Sequence, residues 1–216
     1  MIKTIKASKS EKILFIFLIC LSIFAFTSFF LLKNKCLFVE KNNLSKLNFN
    51  DPDNIAVMNV ECGNVIIELY PDISPKAVER FKILIEQKMY DGSAFYKVSE
   101  NTFVQAGDIE YGNINNLDYS KIGSGKSGLG LLKSELSNDF KFTKGSVGFA
   151  RTTEFDTEDS EFFITLKEIP IYQGEYTPIG KVVYGLDILT KIKTGNKAIY
   201  VLRPDYIKTF RMFNSN

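Results

Sequence analysis

Hydrophobic positions along the chain follow two regimes. From residue 13 to residue 32 they are continuous: ILFIFLICLSIFAFTSFFLL has no charge and no proline. A helix of about 20 residues spans about 30 Å, the hydrocarbon thickness of a bilayer. From Ile55 onward the apolar residues come instead in short runs separated by turn residues. Residues 55–60 and 65–69 are β-branched runs around Cys62-Gly63-Asn64, which predicts a hairpin. Further strands are predicted over 95–98, 103–106, 146–150, 162–166, 179–183 and 198–202. Ala77, Val78, Phe81, Leu84, Ile85 and Met89 recur at helical spacing behind Ser74, a candidate N-cap, and Pro75, suited to the first turn. A second short helix fits 186–193, with Gly195 placed to end it. Many short strands and two main helices predict a mainly β body, a closed antiparallel barrel with capping helices.

The flanks of the apolar run decide how it is read. Lys9 and Lys12 precede it, and Lys33 and Lys35 follow. A cleaved signal would have a shorter apolar core and small residues after it, yet Ala25-Phe26-Thr27 lies inside the run. A lipidation site would set a small residue before a terminal Cys, but Cys20 is mid-run behind Ile19, and Asn34-Lys35-Cys36 is polar. An uncleaved single-pass anchor is the expectation; a secreted or lipid-anchored body after cleavage is the alternative. The chain then divides into a basic tail (1–12), a transmembrane anchor (13–32), a Lys/Asn/Ser-rich linker (33–54) and a folded body (55–213).

Charge supports this division. The formal net charge is +2, but the tail carries Lys3, Lys6, Lys9 and Lys12 against Glu11. The remaining chain has 23 basic and 24 acidic side chains. The short basic tail favours an inside N-terminus and an extracytoplasmic body. A near-neutral body offers no electrostatic reason to bind nucleic acid.

Composition removes several chemistries. There is no His, which excludes Ser-His-Asp and Cys-His catalysis and any imidazole metal site. Cys20, Cys36 and Cys62 have no C-x-x-C spacing, and a thiolate zinc site needs four. Gly123-Ser124-Gly125-Lys126-Ser127 is similar to a phosphate loop, but Ser120 stands where the first Gly is required. Asp156, Glu158, Asp159 and Glu161 lack the Gly and distal Glu of a calcium loop and read as a solvated turn. No metal and no cofactor are expected. In Ser160-Glu161-Phe162-Phe163-Ile164 two adjacent Phe must face opposite ways in a strand, so one can line a groove.

A set of short motifs in a fixed order carries a family resemblance. They are 63–69 with Tyr70-Pro71, the 75–90 helix, Tyr90-Asp91-Gly92, Phe95-Tyr96-Lys97-Val98 and Gln105-Ala106-Gly107-Asp108. After them come the 123–130 loop, 145–150, 160–164 and Gly180-Lys181-Val182. In this order the chain, over residues 55–212, resembles a cyclophilin, a peptidyl-prolyl cis-trans isomerase. The resemblance implies an eight-stranded antiparallel barrel closed by two helices. It implies that proline-containing polypeptides are the partners; a monomer is expected, and the apolar run 13–32 is what tethers it to the membrane.

The resemblance also assigns a site. The proline pocket maps to Phe103, Phe163 and Tyr172. Gln105 matches the family's glutamine, which helps hold the arginine and the substrate backbone, and Ala150 matches a small groove residue. Other positions depart from the family. Lys97 replaces the catalytic Arg, Tyr96 a usual His, Thr102 a pocket Phe, Arg151 a common Asn and Glu161 a Gln. Ile171 replaces a frequent Trp, whose indole donor favours cyclosporin binding in the family, and Tyr176 replaces a His. An isomerase needs a pocket for the proline ring and a donor that favours the twisted amide, with no covalent step. Lys97 keeps the charge but not the planar multi-donor fork. Two readings follow: a slow isomerase assisting the folding of extracytoplasmic proteins, with Lys97 and Gln105 catalytic, or a non-catalytic module that holds proline segments.

Overall fold

The computed structural model describes residues 8–33, 35–37, 39, 44–195 and 200–213. The chain forms two units, Met1–Phe38 and Val39–Asn216. In the first, α1 (Lys9–Lys33) opens on a reciprocal cap: the Ser8 N–H donates to Glu11 Oε2 at 2.6 Å and the Glu11 N–H to Ser8 Oγ at 3.2 Å. Within it, Ser22 and Thr27 donate their hydroxyls to the carbonyls of Ile19, Ile23 and Phe24. Their polar atoms are thus satisfied inside the helix, as a hydrocarbon environment demands. The stretch Lys9–Leu31 is long and apolar enough to cross a membrane.

The second unit is β-rich. Its elements are β1 (Ile55–Val60), β2 (Gly63–Leu69), α2 (Pro75–Glu86), β3 (Lys97–Ser99), β4 (Phe103–Ala106), β5 (Gly112–Asn113), β6 (Asn116–Leu117), β7 (Ser146–Phe149), β8 (Phe162–Thr165), β9 (Pro178–Tyr184), α3 (Leu186–Leu189) and β10 (Thr209–Met212). Eight strands form one antiparallel sheet in the order β10-β1-β2-β9-β7-β8-β4-β3, and β5 and β6 make a separate small hairpin.

The sheet curls into a half-barrel, which corrects the expected closed barrel. No ladder joins the outer strands β3 and β10. Among the described residues scattered contacts span the gap, including the Ala94–Tyr206 bridge, Gly92 N–H to Ile207 O at 2.7 Å, Ile207 N–H to Ser93 O at 2.9 Å, Phe95 N–H to Asp205 O at 2.9 Å and Val201 N–H to Tyr96 O at 2.8 Å. The local reason is Pro204, which has no N–H, beside Arg203 at φ 57°. A strand cannot continue through that pair. Of the expected strand over 198–202, residues 198 and 199 lie outside the described residues, and 200–202 are irregular. The eighth strand is β10, where Phe210 and Met212 point inward and Thr209 is exposed.

The core forms around α2. Phe81 meets Tyr90 at 5.3 Å, Phe149 at 5.9 Å, Phe162 at 5.2 Å and Phe210 at 5.6 Å between ring centroids, which ties the helix to β7, β8 and β10. Ser74 holds the N-cap position, yet its hydroxyl donates to Glu135 O, and the Glu135 carboxylate caps the helix by accepting from the N–H groups of Lys76 and Ala77. The second helix is a single turn, because the chain after Leu189 passes into turns well before Gly195. Ahead of β1, Phe49 packs edge-on against Tyr184 and Phe213, so the end of the linker lies on the body.

Candidate functional site

Strand register assembles the site. Lys97 on β3 lies opposite Gln105 on β4, Gln105 opposite Phe163 on β8, and Phe163 opposite Gly148 on β7. Residues in register across neighbouring strands share a face. Phe103, two positions from Gln105, shares it too. The opposite face carries Val98, Val104, Ile164, Val147 and Phe162, all buried in the core. The adjacent pair Phe162 and Phe163 therefore splits: Phe162 packs on Phe81 and Tyr90, and Phe163 turns to the other face.

Around Phe163 an aromatic nest forms. Phe142, Ala150 and Phe163 are packed against Phe103, Phe140, Tyr172 and Tyr176. Phe163 meets Tyr172 edge-on at 5.3 Å and Tyr176 at 5.2 Å, and the two tyrosines lie 4.5 Å apart. Gly148 makes room for the nest. A Cβ there would sit 2.7 Å from Phe163 Cζ and 2.9 Å from Phe142 Cε1.

Beside the nest lies a cavity of about 150 Å³, lined by residues that include Lys97, Gln105, Lys126, Ala150, Arg151 and Glu161. Its floor is a hydrogen-bonded triangle. Gln105 Nε2 donates to the Tyr96 hydroxyl at 2.6 Å and to Glu161 Oε2 at 2.8 Å, and the Tyr96 hydroxyl donates to the same Glu161 oxygen. Burial pushes the Glu161 carboxyl above the ordinary carboxylate range, against the pull of these two donors. Burial, and then the neighbouring carboxylate, push the Tyr96 phenol up, so it stays protonated as a donor. Tyr200 stacks on the outer side of Tyr96 at 6.0 Å.

Two buried carboxylates hold the cavity wall in place, Asp108 from behind it and Asp159 within it. Asp108 accepts from the N–H groups of Tyr111 at 2.8 Å and Gly123 at 2.5 Å, which fastens the glycine-rich loop. Asp159 accepts from the Ser127 N–H at 2.8 Å and pairs with Arg80 at 3.2 Å. The acidic cluster is thus only in part a solvated turn: Asp156 is exposed, but Glu158 and Asp159 are buried, with Glu158 accepting from the Ser134 and Thr177 hydroxyls. Among the described residues no three Asp, Glu or Cys side chains are placed to share a metal ion.

The two cations differ in freedom. Lys97 Nζ lies 5.8 Å from the Phe103 ring centre and makes no hydrogen bond among the described residues. Arg151 is held fast. Its Nε donates to Glu175 O, Nη1 to the carbonyls of Thr152 and Thr153, and Nη2 pairs with the Glu175 carboxylate, while the guanidinium stacks on Phe155 and Tyr176. It shapes the groove and has little donor capacity left for a ligand.

Most of the residues singled out in the sequence thus meet at one place: Lys97, Gln105, Ala150, Arg151 and Glu161 at the cavity, and Phe103, Phe163, Tyr172 and Tyr176 in the nest beside it. Two stand apart. Thr102 caps the β3–β4 turn through its hydroxyl and the Glu100 carbonyl. Ile171 is 78% exposed on the turn before Tyr172. Phe140 and Phe142, whose alternation was the available signal, and Tyr200 were not singled out in the sequence, and Lys126 stood out there only within the loop similar to a phosphate loop. Tyr96 stood out only as a departure from a family pattern.

The surroundings of this site match known proteins. The family model for cyclophilin type peptidyl-prolyl cis-trans isomerases matches residues 55–211. A probable peptidyl-prolyl cis-trans isomerase of Brucella suis is 38% identical over 149 residues, covering 68% of this chain and 76% of that protein. A peptidyl-prolyl cis-trans isomerase of Helicobacter pylori is 32% identical over 143 residues, covering 65% of this chain and 81% of that protein. A crystal structure of a Cryptosporidium parvum cyclophilin type isomerase, obtained in the presence of the dipeptide Ala-Pro, superposes with a TM-score of 0.64 at 24% identity. The superposition covers 75% of this chain and 99% of that one.

Proposed function

The chain belongs to the cyclophilin-type peptidyl-prolyl cis-trans isomerases, and from that premise we propose that it is a slow, membrane-held isomerase acting on proline-containing segments of extracytoplasmic proteins. One observation carries the catalytic part: a lysine ammonium with no hydrogen-bond partner among the described residues stands beside Gln105 at the aromatic nest. The X–Pro bond turns slowly because twisting it breaks amide resonance. The nest of Phe103, Phe163 and Tyr172 grips the ring. Lys97 donates to the amide as it twists, where the prolyl nitrogen regains its lone pair. Gln105 holds the substrate backbone. The rate is low because a single ammonium on a flexible stem replaces a rigid fork, and Arg151 is too fully engaged to substitute. The Ala-Pro dipeptide named with the Cryptosporidium relative supports a proline-containing ligand.

The membrane part rests on the continuous apolar helix and the basic tail before it. Exchange NMR on a proline tetrapeptide, with the full chain in detergent micelles, tests catalysis; cis-trans exchange at the uncatalysed rate would refute it. Alkaline extraction and protease shaving of intact cells test the anchor. Release of the chain by alkali, or a body shielded from external protease, would refute that half.

A further inference from the structure

We propose that Glu161 is a positioning residue for the isomerisation, fixing with Tyr96 the orientation of the Gln105 side-chain amide; the proposal rests on the isomerase reading above. The Gln105 amide has two faces to offer the groove, a donor nitrogen and an acceptor oxygen, and only one serves a given task. Here the nitrogen is claimed twice on the inner side, by the Tyr96 hydroxyl at 2.6 Å and by Glu161 Oε2 at 2.8 Å. With the nitrogen held inward, Oε1 occupies the opposite corner of the amide. It makes no hydrogen bond among the described residues and stands ready to accept from a substrate N–H or from the Lys97 ammonium. A carboxylate is the one acidic-position side chain that enforces this. Ionised, it only accepts, so it can never pair with the amide oxygen. A glutamine at 161 offers both a donor and an acceptor and lets the Gln105 amide settle either way round. The Tyr96 phenol completes the arrangement: it donates to the carboxylate and accepts from the Gln105 nitrogen, again admitting one orientation.

This device depends on one proton. Protonated, Glu161 becomes a donor at one oxygen and a weaker acceptor, and its hold on the amide nitrogen is lost. The groups around it leave that proton as the natural variable. Tyr96, ahead of β3, stays protonated because burial and the carboxylate raise its phenol. Asp108, after β4, is satisfied by backbone N–H groups, and Asp159 is paired with Arg80. Lys126 on the glycine-rich loop favours the ionised Glu161, Asp108 opposes it, and burial outweighs both, so the carboxyl titrates above its ordinary range. Of the other cations lining the cavity, Arg151 is bound to Glu175, and Lys97 lies over the Phe103 ring.

The test is the pH profile of kcat/KM from about pH 4 to about pH 8, read by exchange NMR on the full chain in micelles, for the wild type, Glu161→Gln and Tyr96→Phe. The wild type should rise with pH through one single-proton step, centred above the ordinary carboxylate range. Glu161→Gln should lose the step and lie flat, about 3–10-fold below the wild-type plateau. Tyr96→Phe should keep the step but move it to higher pH, because a donor that favours the ionised form is gone. The Gln105 side-chain amide resonances should follow the wild-type midpoint. A step retained in Glu161→Gln, or a midpoint unmoved in Tyr96→Phe, overturns the proposal. Should the wild type show no catalysis at any pH, the isomerase reading fails, and the amide resonances judge the pinning alone: shifts tracking Glu161 support it, and their indifference to pH overturns it.

Discussion

Replacing Lys97 by arginine should speed the isomerisation, and replacing it by alanine should nearly remove it. The magnitude follows from where the ammonium rests. Lys97 Nζ sits 5.8 Å from the centre of the Phe103 ring, with no other partner among the described residues. A contact of that kind on a half-buried site is worth about 0.5–1 kcal/mol. A point charge must leave the ring to donate to the twisting amide, which costs a factor of about 2–5 in rate at 1.4 kcal/mol per decade. A guanidinium can stack on the ring and donate from its edge at once, so Lys97→Arg recovers at least that factor, about 2–5-fold in kcat. Lys97→Ala removes the donor itself, a loss of about 10²-fold. Proline-peptide affinity should fall much less, because the nest of Phe103, Phe163 and Tyr172 grips the ring in both ground and twisted states. Exchange NMR gives kcat, and calorimetry with the same peptide gives Kd, each with the full chain in micelles. Equal rates for the wild type, Lys97→Arg and Lys97→Ala would refute the reasoning and leave a protein that holds proline segments without turning them over.

The other expectations concern packing, inhibitor contact and pH. Gly148→Ala should cost about 1–3 kcal/mol and weaken proline-peptide binding, because its Cβ enters the space of Phe163 and Phe142; thermal unfolding and calorimetry check it, and an unchanged Tm would refute it. The wild type should bind cyclosporin weakly, since Ile171 has no donor to offer, and Ile171→Trp should tighten it, because the exposed position has room for an indole; nanomolar affinity in the wild type would contradict this. Glu161 also links stability to pH. Its folded-state carboxyl titrates above the unfolded value, so between the two the folded protein keeps a proton that the unfolded chain has released, and stability falls as pH rises through that window. Glu161→Gln removes that loss, so its Tm relative to the wild type should climb across the window, and a pH-independent difference would refute it.

The strands of the body were legible where local chemistry and tertiary demand agree. Residues 55–60 and 103–106 are strands with the expected bounds, because mainly apolar runs coincide there with burial. The misreadings have a common cause. Residues 200–202 look as apolar as a strand, but the later Pro204 and the left-handed Arg203 take that segment out of the ladder. β10 reads weakly because Lys208, Thr209 and Arg211 dilute its alternation, and only its pairing with β1 makes Phe210 and Met212 core. The cap of α2 was beyond any local reading, since Glu135 reaches it from far along the chain. The acidic cluster misled for the same reason: its buried members are satisfied by Arg80, Ser127, Ser134 and Thr177, none of them neighbours in sequence.

In the site, single positions were legible and their coupling was not. Tyr96, Lys97 and Glu161 each stand out in the sequence as a departure from the pattern that the chain otherwise resembles. Taken singly, each looks like a loss: a fork reduced to a point charge, an imidazole replaced by a phenol, an amide replaced by an acid. In space they compensate. A buried phenol needs an acceptor, and the carboxylate at 161 supplies it. A carboxylate needs donors there, and it draws them from Tyr96 and Gln105. Fixing Gln105 then restores to the neighbourhood of Lys97 some of the order that a flexible ammonium lacks by itself. If the three departures form one unit, reverting them singly should be worse than reverting them together. Tyr96→His alone removes the phenol that donates to Glu161. Glu161→Gln alone frees the amide, and only the paired reversion returns a consistent set of donors and acceptors. A double-mutant cycle on kcat/KM therefore decides between a site eroded at three positions, for which the changes add, and a site rebuilt around a different donor set, for which they do not.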